Sequence, residues 1–105
     1  MGNASATTEH DPKQDDQALE LRSTGRSFGA IAKALGFERA HHAHAAFNRA
    51  LRRKPKGEQE TVREQELVRL DDVATHIRAD DKLSHQEVAR RLRAVDRLKA
   101  VLLAD

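Results

Sequence analysis

The chain has no cysteine, no tryptophan and no tyrosine, and three phenylalanines in 105 residues. Without cysteine, disulfides and thiolate metal ligands are excluded, a state compatible with a reducing cytoplasm. With aromatics this scarce, the core has to be aliphatic and thin, built from Leu, Val, Ile, Ala and the few Phe. Such a core stabilises a monomer only marginally, and burial against a second copy is the natural remedy. No apolar stretch approaches the roughly 18 residues a membrane-spanning helix requires. Met1 to Asp15 lacks the hydrophobic run of a secretory signal, and residues 1–14 read as a disordered leader. The expectation is a cytoplasmic protein with no membrane contact.

Proline and glycine are few, two and five, so the places where they fall punctuate the chain. Gly25 ends a first helix that Asp15 or Asp16 can cap, with Ala18 and Leu21 inward and Leu19 at the margin. Ser27 is a good N-cap for a second, short helix from Phe28 to Leu35, on which Ile31, Ala32 and Leu35 share a face. Gly36 stands where the chain leaves that helix, a position that favours the left-handed conformation. A third helix covers about Arg39 to Arg53, with Ala43, Ala46, Phe47, Ala50 and Leu51 at helical spacing. Short helix, glycine turn and second helix make the helix-turn-helix layout, and Ala32 supplies the small side chain wanted where two such helices cross. Pro55 and Gly57 then break the pattern, giving a hinge at 55–60 between a domain at 15–54 and a second part at 61–105.

Charge divides along the same line. Arg22 to Lys56 holds nine Lys or Arg against one acid, Glu38, whereas Glu58 to Asp105 holds nine basic residues against eleven acidic. Positive charge is thus concentrated on the candidate helix-turn-helix, the footprint a polyanion binder needs because neutralising phosphates releases counterions. An ordinary solvated surface mixes both signs.

Beyond the hinge, Val62, Glu66/Leu67, Leu70, Val73/Ala74 and Ile77 place an apolar stripe on a helix of about twenty residues. Asp80-Asp81-Lys82 is a turn. Ser84-His-Gln-Glu87 reads as a capping box opening a last helix with the stripe Val88, Leu92, Val95, Leu98 and Leu102. Two amphipathic helices joined by a short turn make an antiparallel hairpin. The spacing of Ser27, Ile31, Ala32 and Leu35 recurs as Ser84, Val88, Ala89 and Leu92. Arg93 replaces the turn glycine there, so a continuous helix is expected rather than a second helix-turn-helix. The fold class is therefore all-α: a three-helix helix-turn-helix domain followed by a two-helix hairpin. The hairpin stripes, Leu67, Leu70, Val73, Ile77, Val88, Leu92, Val95, Leu98 and Leu102, are the expected oligomerisation or partner surface.

The run Ala18-x-x-Leu21-Arg22-x-x-Gly25-x-Ser27-x-x-x-Ile31-Ala32-x-x-Leu35-Gly36-Phe37 carries a resemblance, as does Ala43-x-x-Ala46-Phe47-x-Arg49-Ala50-Leu51. Both resemble helix-turn-helix proteins common in actinobacteria and their phages. In several of these the domain belongs to the terminase small subunit, the DNA-recognition component of the phage packaging motor. Arg63-Glu64-x-Glu66-Leu67-x-Arg69-Leu70-Asp71 is similar to the helix that follows the domain in that group, and Ala94-Val95-Asp96-Arg97-Leu98 to its closing helix. The chain departs from the group in the short link between its last two helices and in three histidines on the third helix. The resemblance implies double-stranded DNA as a partner, a homo-oligomer, and contact with a large terminase ATPase.

A recognition helix offers base contacts from its N-terminal half, on the side away from the domain. That places Arg39, His41, His42, His44 and Asn48 as base-contact candidates, with Ala45 beside them: Arg suits guanine, Asn suits adenine, and Ala can touch a thymine methyl. Arg26, Lys33, Arg49, Arg52, Arg53 and Lys54 are candidate phosphate clamps. The rival reading of His41-His42-x-His44 as a metal site fails on spacing, because these positions do not converge as an i, i+4 pair does. No metal or other cofactor is expected. There is no Gly-rich phosphate loop and no nucleophile context, and Asp71-Asp72 and Asp80-Asp81 read as solvated charge, so no enzyme is expected. Two alternatives stay open. A small transcriptional regulator or excisionase-like factor would bind an operator-like palindrome as a dimer. A helical adaptor with non-specific nucleic-acid affinity would bind a protein in a salt-insensitive way.

Overall fold

A computed structural model describes residues 11–104, and these form five α-helices with no strand among the described residues. They are α1 (Pro12–Ser23), α2 (Phe28–Leu35), α3 (Ala40–Arg52), α4 (Lys56–Ala79) and α5 (His85–Leu103). The chain divides into two compact units between Pro55 and Lys56. None of these helices is long and apolar enough to cross a membrane.

The first unit is α1 to α3. The cap of α1 is Asp11, whose carboxylate accepts the Lys13 N–H at 2.9 Å, and Pro12 follows in the first turn. Proline is favoured there because its φ is already helical and its missing N–H would have had no partner. Asp15 and Asp16, expected as caps, lie inside the helix instead. Residues 12–14 are helical, which shortens the expected leader; the rest of that leader, residues 1–10, lies outside the described residues.

The local signals further on act as their chemistry dictates. The Ser27 hydroxyl accepts the Ala30 N–H at 3.1 Å and starts α2. Gly36 closes it at φ +81°, and the Phe37 N–H turns back to the Ala32 carbonyl at 2.8 Å. An L side chain at this φ would be strained by about 1–2 kcal/mol. Four residues, 36–39, then separate α2 from α3.

α3 packs against both α1 and α2. Its buried face is Ala43, Ala46, Phe47, Ala50 and Leu51, met by Ala18 from α1 and by Phe28, Ile31 and Ala32 from α2. Alanines at most of these contacts let the helix axes approach closely, and the volume is filled by few large side chains. Phe28 meets Phe47 edge-on with ring centroids 5.5 Å apart. The Arg22 guanidinium lies 4.1 Å from the Phe28 ring centroid and donates to the Arg26 carbonyl at 3.0 Å. It therefore closes one end of the core as a cation over an aromatic face. Gln14 Nε2 donates to the Leu35 carbonyl at 2.9 Å, tying α1 to the last turn of α2.

The second unit is the hairpin of α4 and α5. Arg63 Nε donates to the Leu102 carbonyl at 3.1 Å and Lys99 pairs with Asp71 at 2.6 Å, so the two helices run antiparallel. The break between the units is shorter than the expected hinge. α4 already begins at Lys56, leaving Gly57 in its first turn, where a glycine costs little. α5 is continuous past Arg93, without a second turn. Ser84 caps it by accepting the Glu87 N–H at 3.1 Å. The return half of the capping box is replaced: the Glu87 carboxylate bonds Arg90 and Arg91, which hold it below its ordinary pKa.

Only part of the expected hairpin stripe is available to a partner. Leu70, Val95 and Leu102 are buried in the seam between α4 and α5, together with Ala74 and the Glu66 that bonds Arg69 at 2.8 Å. Leu67, Ile77, Val88, Leu92 and Leu98 are half-buried. Val73 is exposed, as are Val68, Val101 and Leu103 beyond the expected set. Val73, Ile77 and Leu83 floor a groove of about 450 Å³ rimmed by Arg69, Arg91 and Asp80.

Candidate nucleic-acid interface

α3 carries no acid along its length. Its capping position is Arg39, in extended conformation with no side-chain hydrogen bond to the first turn. The amide groups that open a helix are partly positive and attract anions, and here the side chain at that end adds a further positive charge. His41 and His42 follow, both exposed, with ring centroids 4.3 Å apart. Ala45 is half-buried, and Arg52 is exposed at the far end. The outward edge of α3 is thus Arg39, His41, His42, Ala45, Arg49 and Arg52.

Two expected base-contact residues are not on that edge. Asn48 is buried, and its Nδ2 donates to the His44 carbonyl at 3.1 Å within the same helix. Its amide also lies 3.2 Å from His44 Nε2. His44 is half-buried with its ring edge-on to Phe28, centroids 4.8 Å apart. The cause is common to both. Packing on two helices rather than one widens the buried arc of α3, and positions 44 and 48 fall on its margin.

The candidate phosphate clamps also divide. Arg26, Lys33, Arg52 and Lys54 are exposed. Arg49 and Arg53 are engaged by α1. Arg49 donates from Nε to Asp15 Oδ2 at 3.1 Å and from Nη2 to Asp15 Oδ1 at 3.0 Å. Arg53 Nη1 donates to Asp15 Oδ2 at 3.2 Å, while its Nη2 reaches Asp16 Oδ1 at 3.2 Å. The Asp15 side chain is only 2% exposed, against 27% for Arg49 and 45% for Arg53. Burial of Asp15 opposes its charge, but the bonds from Arg49 and Arg53 outweigh that and hold its carboxyl below the ordinary value.

Asp15 is the residue that sequence reasoning misplaced, having assigned it a capping role. The available signal was an acid one helical step before buried Ala18, facing a helix with arginines four residues apart.

Among the described residues no group of three His, Cys, Asp or Glu side chains is arranged to hold a metal ion. What the arrangement supports chemically is anion binding: a helix edge with a cationic start, two imidazoles within one turn and a basic end. No protein-family model, curated protein or solved structure matches the chain.

Proposed function

We propose that the first unit is a helix-turn-helix module that binds duplex DNA through the outward edge of α3, and that the chain serves phage DNA packaging as a terminase small subunit. The observation that carries the DNA reading is the combination of the left-handed Gly36 turn with an α3 that presents Arg39, His41, His42 and Arg52 and no acid. In this reading Arg39 bonds guanine, the two imidazoles donate to base edges or phosphates, and Lys33, Arg26, Arg52 and Lys54 hold the backbone. The function is binding, not catalysis. The terminase assignment rests on the sequence resemblance along residues 17–105.

The test separates reading from gripping. Once a preferred duplex has been selected from a random pool, Arg39→Ala should cost about 1–3 kcal/mol on it and little on random DNA. Arg52→Ala should weaken both alike and flatten the salt dependence by about one unit. Equal losses from both substitutions on both duplexes would mean that α3 does not read bases.

The hairpin is read as the self-association surface. Its support is the exposure of Val73, 42%, on a groove floored by Ile77 and Leu83. Val73→Asp should leave helicity intact and convert the assembly to monomers. Light scattering that gives a monomer for the unmodified chain at roughly tens of micromolar, an ordinary range for specific association, contradicts this part.

A further inference from the structure

We infer that Asp15 is an internal counter-anion that withholds Arg49 and Arg53 from the DNA backbone and so sets how tightly the first unit holds DNA of any sequence. The inference rests on the DNA-binding reading above. Arg49 lies on the outward edge of α3 three residues before Arg52, and Arg53 follows directly at the helix end. Both would add to a phosphate grip if their charges were available.

They are offset from behind. Asp15 uses both carboxylate oxygens on the two guanidinium groups, and Asp16 and the Pro12 carbonyl take the remaining Nη of Arg53. The carboxylate is buried, so water does not readily replace the arginines as its partners. A phosphate approaching α3 competes with charge-assisted bonds already oriented on a buried carboxylate. The competing anion is tethered to the same unit, so its effective concentration is high. The outcome is a unit whose phosphate grip goes without Arg49 and Arg53, and whose affinity for random DNA is held down. Asp15 is here a positioning residue: it acts on DNA through the two arginines and does not touch it.

A purely structural pin between α1 and α3 would also explain the geometry, and the two roles differ in the salt dependence of binding. The full-length chain and its variants Asp15→Asn, Asp16→Asn and Asp15→Asn/Arg49→Ala are titrated with a random-sequence duplex over a series of salt concentrations. Circular dichroism of the same samples gives the folded fraction. Asp15→Asn should lower the melting temperature and yet steepen the plot of log K against log salt by about 0.9 for each arginine released. Per arginine, that adds roughly a three- to four-fold loss of affinity between about 50 and 200 mM salt. Asp16→Asn, at an exposed acid that holds only Arg53, should steepen the slope by no more than one such step with folding intact. The added Arg49→Ala should remove one step from the Asp15→Asn slope.

Slopes for Asp15→Asn and Asp16→Asn equal to the unmodified chain, with affinity tracking the folded fraction, would overturn the inference and leave Asp15 as a pin. An unmodified chain that does not bind the duplex even at low salt would overturn the DNA-binding reading itself.

Discussion

Phe47→Ala should remove most of the stability of the first unit. The side chain is 1% exposed and is among the largest fully buried ones in the chain. It packs edge-on to Phe28 and sits where α3 faces its two partners. Truncating a buried Phe to Ala costs about 3–5 kcal/mol, through lost transfer energy and the cavity left behind. Small domains have about 5–15 kcal/mol in total, and a core made mostly of alanines belongs at the low end. Its neighbours Ala43, Ala46 and Ala50 have no longer side chains with which to fill the gap. Urea denaturation followed by helical ellipticity checks this: a loss under about 1 kcal/mol would mean that Phe47 does not anchor the unit.

Val95→Asp should do the same to the hairpin. Val95 is 5% exposed in the α4–α5 seam beside Leu70 and Leu102. A carboxylate placed there replaces apolar contact between the two helices and costs about 3–5 kcal/mol while ionised. The sign of its pH dependence follows. Burial raises the pKa of the new carboxyl in the folded hairpin, so the penalty is complete above that raised pKa, shrinks as pH falls through it and is gone below about 3.9, the value in the unfolded chain. A hairpin whose helicity at pH 7 matches the unmodified chain would contradict the seam. Because Val95 and Leu70 hold the hairpin together from within, charges placed on them probe its folding; self-association is probed at Val73.

What could be read in the sequence was local. Ser27, Gly36 and Ser84 each act within one turn of chain, through a hydroxyl on an amide or a left-handed φ, and the structure places all three where the residues indicate. Helix faces were legible as well, since Ala43, Ala46, Phe47, Ala50 and Leu51 recur at helical spacing and are all buried. Periodicity gives the centre of a buried face but not its width. The width of the α3 face depends on α2 as well as α1, and that second contact buries Asn48 and half-buries His44. The fate of Arg49 and Arg53 was hidden for a related reason. Their partner Asp15 is 34 and 38 residues away, and no local pattern distinguishes a cation bound to an acid from one facing solvent. In the hairpin the stripe positions were legible, but which of them the other helix covers depends on the register fixed by the Asp80–Ser84 turn.

The proposal that α3 meets DNA with its outward edge is tested most directly by a backbone-amide NMR titration with duplex DNA. The signals that shift should be those of Arg39, His41, His42, Ala45 and Arg52, with Lys33 and Arg26 beside them, while those of α4 and α5 stay in place. Shifts confined to α4 and α5, or none along α3 at saturating DNA, would contradict it.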